Sequence, residues 1–110
     1  MARLPRLDLP HVPQHIVQRS NNRQPIFFHE ADYGVYLEYL CEASVKNNCR
    51  LYAFVLMTNH VHLLALGETS SGVSGLMQSV GRRYVRYVNG LYRRTGTLFE
   101  GRFKSIDTVL

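Results

Sequence analysis

The sequence predicts an α+β domain with elements in the order β-α-β-β-α-β, an antiparallel sheet with two helices packed on one face. Apolar residues alternate or run together in four short segments, and they recur with helical period in two longer ones. The 110 residues contain no internal repeat or low-complexity segment, and this length suits one domain with its own core. The element order is typical of the ferredoxin-like fold, so we expect residues 1–110 to form a single domain of that kind.

The first half of the chain predicts a lead-in, a strand and a helix. Residues 1–13 hold three of the four prolines, which predicts an extended lead-in. Residues 15–19 are predicted to form a short strand, and the polar residues 20–25 a loop. Apolar residues then recur at helical spacing, which predicts a helix over about 32–46 with Asp32 as its N-terminal cap.

The second half predicts a hairpin, a long helix and a final strand. Residues 50–57 and 60–66 are apolar segments separated by Thr58-Asn59, a spacing that favours an antiparallel hairpin. Helical period returns at residue 73 and continues to about residues 89–93, giving a helix with one apolar and one cationic face. Residues 96–105 alternate apolar and polar, which predicts the last strand or hairpin arm.

Two histidines in the second hairpin strand are the first candidate functional residues. His60 and His62 stand two residues apart, so their side chains leave a strand on the same face. Neutral imidazole is the commonest metal ligand, and a shared divalent metal explains two adjacent imidazoles most simply. The alternative is a half-solvated pair on an exposed sheet face. Apolar neighbours on both faces of the strand imply that it is covered on both sides, and this favours a metal site over a solvated pair. These neighbours are Val61, Leu63, Ala65, Leu64 and Leu66.

Positive charge is concentrated in the last third of the chain. The net charge is +5, and seven of the 13 Lys and Arg residues lie between positions 82 and 104, against one acid, Glu100. Eleven of the 13 are Arg, whose planar guanidinium suits phosphate geometry. A nucleic acid is therefore the predicted partner, and a solvated helix face is the alternative. The predicted DNA-binding residues are Arg19, Asn22, Arg23, Arg82, Arg83, Arg86, Arg93, Arg94, Arg102 and Lys104.

Other features exclude several classes of protein. The N-terminus lacks the apolar core of a signal peptide, and no window approaches 18 uninterrupted apolar residues. We therefore expect a soluble cytoplasmic protein that does not enter a membrane. Cys41 and Cys49 form no CxxC pattern, so buried thiols are expected rather than a disulfide scaffold.

Four sequence blocks together closely resemble the single-tyrosine transposases of the HUH endonuclease superfamily. The resemblance is nearest to the REP-associated tyrosine transposases, with their IS200-like transposase domain, and it covers nearly the whole chain in order. The blocks are RSNNRQPIFF (19–28), AFVLMTNHVHLL (53–64), LMQSVGRRYVRYVN (76–89) and RTGTLFEGRFKS (94–105). His60-Val61-His62 stands at the His-hydrophobe-His motif of that family.

The resemblance implies a function and a set of partners. His60 and His62 would be ligands of Mg²⁺ or Mn²⁺, which polarises a phosphate of single-stranded or hairpin DNA. A tyrosine would attack that phosphate, form a 5′-phosphotyrosyl intermediate and release a 3′-hydroxyl. The resemblance also implies a homodimer, and members of the family carry the tyrosine and an amide metal ligand on a helix after the last strand. Since the sequence reaches Leu110 before such a helix, we expect the nucleophile outside residues 1–110 and this chain alone to be inactive.

The tyrosines and one further histidine leave alternatives open. Tyr84 and Tyr87 lie on the apolar stripe of their helix, so they are expected to be core aromatics rather than nucleophiles. Tyr92 follows among arginines and does not match the family's catalytic position, so no nucleophile is assigned. His15 matches a histidine common in the family, and it approaches the metal if the first and third strands are neighbours. Otherwise it is a core or edge histidine.

Two other functions are compatible with the sequence. A ferredoxin-like domain could hold single-stranded DNA through its Arg-rich helix without cutting it. A small metal-dependent hydrolase would use bound water and would need a carboxylate near the histidines. Glu100 and Asp107 are the acids of the C-terminal third.

Overall fold

A computed structural model describes residues 9–107 of the chain. The described elements follow the predicted β-α-β-β-α-β order and confirm the α+β fold class. A short 3-10 turn, Asn21–Arg23, lies between the first strand and the first helix. The elements are β1 (Gln14–Arg19), α1 (Glu30–Lys46), β2 (Cys49–Met57), β3 (His60–Gly67), α2 (Gly72–Leu91) and β4 (Lys104–Asp107).

The four strands form one antiparallel sheet in the order β2-β3-β1-β4. β1 and β3 occupy its centre, and β2 and β4 are its edges. Along β1, Val17 lies opposite His62 and Arg19 lies opposite His60. Because residues directly opposite each other in a sheet project to the same face, this register sets which side chains accompany the histidines.

Both helices pack on one face of the sheet. Ile16 and Leu63 from the central strands are buried beneath Leu76 of α2 and two tyrosines. The ring of Tyr36 from α1 meets the ring of Tyr84 from α2 edge to face, with centroids 5.2 Å apart. The Tyr84 hydroxyl donates a hydrogen bond to the carbonyl oxygen of Ile26 at 2.8 Å, so the expectation of a core aromatic holds for Tyr84.

The opposite face of the sheet, which carries the histidines, is open in the described residues. Leu64 and Leu66 follow the histidines on this face and are only half-buried. Val55 and Met57, which lie opposite His62 and His60 on β2, are exposed. The expectation that β3 is covered on both sides is therefore wrong within residues 9–107, because both helices lie on the other face.

The start of α1 differs from the prediction by two residues. The helix begins at Glu30, so Asp32 is its third residue rather than its cap. The Asp32 carboxylate nevertheless satisfies the helix start, since it accepts hydrogen bonds from the backbone N–H groups of Phe28 and His29 at 2.9 and 3.0 Å. The prediction of Asp32 as the cap is therefore wrong, because His29 is the N-cap residue and Asp32 is the N3 partner of a capping box.

The C-terminal strand is much shorter than predicted. It begins at Lys104, and residues 96–103 form no strand. Gly96 and Gly101 have φ values of +86° and +58°, which interrupt extended backbone. Leu98 and Phe103 are buried, so the apolar residues of this segment are anchors of an irregular loop.

Smaller differences concern the N-terminus and one cysteine. Residues 1–8 of the predicted lead-in lie outside the described residues, and Pro10-His11 forms a turn instead of extended chain. The backbone N–H of His11 donates to the carbonyl oxygen of Gly67 at 2.7 Å. Cys41 is exposed, so the expectation of a buried thiol is wrong there. Neither helix of the described chain combines the length and apolar character needed to span a membrane.

Candidate metal and nucleic-acid site

Three histidines come together on the open face of the sheet. His60 and His62 project from the same face of β3, as predicted, with ring centroids 4.8 Å apart. His15 joins them from β1, and its Nε2 lies 3.0 Å from Nδ1 of His62. The two rings are stacked with centroids 5.2 Å apart. The pairing of β1 with β3 thus brings His15 next to the predicted metal ligands.

Hydrogen bonds occupy one ring nitrogen of each histidine on β3. Nδ1 of His60 is 2.8 Å from Oδ1 of Asn59, and because a carboxamide oxygen only accepts, this nitrogen carries the proton. Nδ1 of His62 is engaged by His15. Nε2 is therefore the nitrogen of His60 that is available to a metal, and it is also that of His62 in the tautomer whose Nδ1 donates to His15. Hydrogen bonds of this kind fix the tautomer and orientation of metal-binding histidines.

The surroundings of His62 favour its neutral form. Partial burial lowers the pKa of His62, and electrostatic interactions with His60, His15 and Arg19 lower it further. A neutral imidazole has the lone pair that a metal ion requires. The electrostatics of His62 therefore suit a ligand.

The histidine pair fits part of a metal site. Among residues 9–107, no three His, Cys, Asp or Glu side chains are grouped closely enough to hold an ion. His60 and His62 present two imidazoles on one face of β3, and these are the two residues that the sequence predicts as metal ligands. Further ligands to a bound ion would be water, a DNA phosphate or groups outside the described residues.

A cleft of about 540 Å³ opens beside the histidines, and we call it the histidine cleft. Arg19 and Arg23 contribute positive charge to its wall, and Glu100 contributes the acid considered for a hydrolase. Glu100 does not join the histidines in a metal-binding group. The lining residues are Val17, Arg19, Ser20, Arg23, Asn59, His60, His62 and Glu100.

The loop after β1 is held over this cleft by backbone hydrogen bonds. The N–H of Ser20 donates to the carbonyl of Asn59 at 2.9 Å, and that of Ile26 donates to the carbonyl of Thr58 at 2.7 Å. Asn22 and Arg23 adopt left-handed backbone conformations, with φ values of 59° and 57°. Arg23 lines the cleft, whereas Asn22 is exposed in the same loop.

The remaining predicted DNA-binding residues separate into groups. Lys104 is exposed and lies opposite Val17, which places it on the same sheet face as the histidines. Arg82 and Arg102 line a second cleft on the helix side of the sheet, and Arg86 lies beside Arg82 along residues 96–99. Arg93 is exposed just beyond the end of α2.

Two of the predicted arginines have partners within the chain. Arg83 forms an ion pair with Glu42 of α1, and its guanidinium carbon lies 4.0 Å from the centre of the Tyr39 ring. Arg94 donates to Oδ1 of Asn89 at 2.8 Å and to Oε1 of Gln24 at 2.6 Å. Both side chains therefore join elements of the fold in addition to their predicted role with DNA.

A buried carboxylate, which the sequence analysis did not single out beyond its capping role, links the two helices. Asp32 is fully buried and accepts hydrogen bonds from the hydroxyls of Tyr87 and Tyr92, both at 2.7 Å. Burial acts to raise the pKa of Asp32. The hydrogen bonds from Tyr92, Tyr87 and the backbone of His29 and Phe28 outweigh burial and hold that pKa below its usual range.

The same contacts make two tyrosines weaker nucleophiles. Desolvation and the hydrogen bond to Asp32 raise the pKa of Tyr92 to about 12. The hydrogen bond to Asp32, followed by burial, raises the pKa of Tyr87 to about 12. Tyr87 is half-buried with its hydroxyl at the rim of the core.

Comparison with known proteins identifies the family. Residues 9–108 match the family model described as "Transposase IS200 like", and the chain therefore belongs to the IS200-like transposase family. Comparison with curated proteins gave no match.

Two solved structures share the fold. The first is a REP-associated tyrosine transposase bound to a REP hairpin, with a TM-score of 0.79 and 11% identity. The alignment covers 100% of this chain but 64% of that one, so this chain spans less than two thirds of that relative. The second is a Deinococcus radiodurans R1 protein assigned as a transposase, with a TM-score of 0.69, 22% identity and coverage of 99% and 87%.

Proposed function

We propose that this chain takes part in metal-dependent cleavage and transfer of single-stranded or hairpin DNA. The observation that carries the proposal is the His60–His62 pair, whose Nδ1 atoms are both engaged, at the edge of a cleft that also holds Arg19 and Arg23. Membership of the IS200-like family supports the class of reaction. The complex of the REP-associated relative with a hairpin supports DNA hairpins as the substrate class.

The polar residues at the histidine cleft that have a role in this proposal are two histidines, two arginines and the side chains that orient the imidazoles. His60 and His62 hold Mg²⁺ or Mn²⁺, which when bound supplies polarisation of the scissile phosphate. Arg19 and Arg23 bind the phosphate and orient it, because guanidinium groups form charge-assisted hydrogen bonds with phosphate oxygens. His15 and Asn59 orient the imidazoles through the hydrogen bonds to Nδ1.

The attacking tyrosine is assigned to residues outside positions 1–110, in the same polypeptide or in a partner. None of the residues that line the histidine cleft is a tyrosine. Tyr84 is buried, and the hydroxyls of Tyr87 and Tyr92 donate hydrogen bonds to Asp32. Attack by the missing tyrosine would form a 5′-phosphotyrosyl bond and release a 3′-hydroxyl.

A second candidate function is DNA binding without cleavage. The lack of a tyrosine in the lining of the histidine cleft also favours this alternative. A homodimer and a cytoplasmic location remain predictions. The exposed apolar side chains of edge strand β2 are compatible with a second copy, since unprotected edge strands tend to pair.

Binding of hairpin DNA in the presence and absence of metal distinguishes the two candidates. We expect residues 1–110 to bind a labelled hairpin with a single-stranded flank more tightly in Mn²⁺ than in EDTA, because an ion held by the two histidines would add positive charge to the cleft and attract a phosphate. We also expect no covalent adduct on a denaturing gel, since the catalytic groups act as a unit and one is missing. Affinity independent of Mn²⁺ would favour the non-cleaving function. An adduct lost in Tyr92→Phe would show that the chain contains its own nucleophile.

The salt dependence of DNA binding tests the predicted basic surface. Replacing Arg82 and Arg86 together by Ala should reduce the slope of log affinity against log salt by about 2, because each lost phosphate contact releases one fewer counterion. Arg83→Ala is the matched control on the same helix, and we expect a smaller change because Arg83 is paired with Glu42. If the double substitution leaves the slope unchanged, the DNA site must lie elsewhere, and the loop that contains Arg19 and Arg23 is the next candidate.

A further inference from the structure

A second cleft, of about 500 Å³, lies on the helix side of the sheet. We call it the glutamine cleft, because Gln18 of β1 contributes to its lining. Its walls come from α2 and from the irregular segment that precedes β4. This volume falls within the range of roughly 300–1,000 Å³ usual for sites that bind small organic groups.

Gln18 carries a polar group with no partner. Its side chain is 8% exposed, and it lies opposite Val61 on the helix side of the sheet. The Nε2 atom is buried and has no hydrogen-bond acceptor in the described residues. A buried donor without a partner is costly, and a ligand in the glutamine cleft that offers an acceptor would remove this cost.

Gln14 provides an internal comparison. It lies four residues earlier on the same face of β1, and its Nε2 is also without a partner. Its Oε1, however, accepts a hydrogen bond from the Ser105 hydroxyl, and Gln14 is not among the residues that line the glutamine cleft. Of these two amides, therefore, Gln18 is the one in a position to meet a ligand there.

The walls of the glutamine cleft have the chemistry of a nucleotide site. Phe99 offers a half-buried aromatic ring, and Arg82 and Arg102 offer guanidinium groups. Gly81 leaves the wall open, since a Cβ added there would meet no atom within 4 Å. An aromatic ring, an amide donor and two cations match the base and the phosphates of a nucleic acid strand.

The glutamine cleft and the histidine cleft lie on opposite faces of the sheet, and residues adjacent in sequence line both of them. Glu100 lines the histidine cleft, whereas its neighbours Phe99 and Gly101 line the glutamine cleft. On β1, likewise, Arg19 lines the histidine cleft and Gln18 lines the glutamine cleft. One DNA strand could therefore place a phosphate in the first cleft and a nearby base in the second.

We propose that the glutamine cleft binds a single unpaired nucleobase of the DNA substrate. Gln18 Nε2 donates a hydrogen bond to an acceptor on the edge of the base, Phe99 stacks on the base, and the arginines contact the flanking phosphates. The base has to be unpaired because its edge reaches a side chain at the bottom of a cleft. This inference rests on the proposed DNA function and identifies a recognition site apart from the histidines.

Two pairs of matched variants test the proposal by DNA binding. Gln18→Leu removes the amide and Gly81→Leu places a side chain at the open wall, while Gln14→Leu and Gly90→Leu are controls on the same strand and helix. A Cβ at Gly90 likewise meets nothing within 4 Å, so both glycine variants should fold. The probe is a fluorescent hairpin with a single-stranded flank, measured by anisotropy, together with a series in which each unpaired nucleotide in turn is abasic.

We expect Gln18→Leu and Gly81→Leu to weaken binding by about tenfold, the effect typical of losing one stacked or bonded base. The controls should bind as the parent does. Making one particular nucleotide abasic should weaken DNA binding by the parent chain by a similar factor. The same abasic nucleotide should have no effect on DNA binding by Gly81→Leu. The melting temperature of Gln18→Leu should equal or exceed that of the parent, because an unpaired buried amide is lost.

The outcomes separate the inference from the proposed function. Tight DNA binding that all four variants retain would overturn the base site and leave the proposed function standing. Binding that Gln18→Leu and Gln14→Leu weaken equally would overturn it too, since the loss would then not depend on the cleft. Failure of the parent chain to bind any hairpin would overturn both.

Discussion

Replacing His62 by Ala should lower the affinity of the chain for Mn²⁺ by about 100-fold or more. The substitution removes one of two nitrogen ligands, and losing even an outer partner of a ligand typically costs 10- to 100-fold. His60→Ala should have a similar effect, because the two rings are neighbours on one face of β3. Titration calorimetry or the electron paramagnetic resonance signal of unbound Mn²⁺ measures these affinities directly.

His15→Ala should produce a smaller loss, of about tenfold, because we propose that His15 orients His62 through the contact between their ring nitrogens. His11→Asn is the control, because it removes an imidazole away from the site and Asn tolerates the positive φ of residue 11. Equal losses from His15→Ala and His62→Ala would make His15 a ligand itself. Unchanged affinity in His60→Ala would place the metal elsewhere.

The fold could be predicted because local patterns and the global arrangement agree. The apolar segment 60–66 was predicted to be a strand, and its residues Val61, Leu63 and Ala65 are indeed buried. The spacing of two residues assigned His60 and His62 to one face, which the structure confirms. A period of two is sufficient for this inference, since it depends only on neighbours in sequence.

Contacts distant in sequence were beyond this kind of prediction. His15 and His62 are 47 residues apart, and their hydrogen bond depends on the register between β1 and β3. Residues 96–103 alternate for a different reason, because Leu98 and Phe103 are anchors of a loop, so the pattern predicted a strand that is absent there. The orphan amide of Gln18 has no sequence signature, since its burial depends on the packing of α2 and the segment before β4.

Asp32→Asn should destabilise the protein by about 2–3 kcal/mol at neutral pH, the cost expected when charge-assisted hydrogen bonds to a buried group are lost. Asp32 accepts from two tyrosine hydroxyls and two backbone N–H groups, and an amide offers one oxygen in place of two. The change also removes a negative charge from the first turn of α1, where the helix dipole favours it. Urea unfolding at pH 7 gives the free energy, and Glu38→Gln on the exposed face of α1 is the control.

The pH dependence of the same variant identifies the charge as the cause. The pKa of Asp32 is lower in the folded protein than its usual value. Its contribution is therefore present in full above the unfolded pKa of about 4, and it is lost as the pH falls through the folded pKa. The difference in unfolding free energy between the parent and Asp32→Asn should accordingly shrink as the pH falls below about 4. Other carboxylates titrate in both proteins and largely cancel in the difference. A difference that stays constant from pH 7 to pH 3 would mean that packing, not the ionised carboxylate, accounts for the loss.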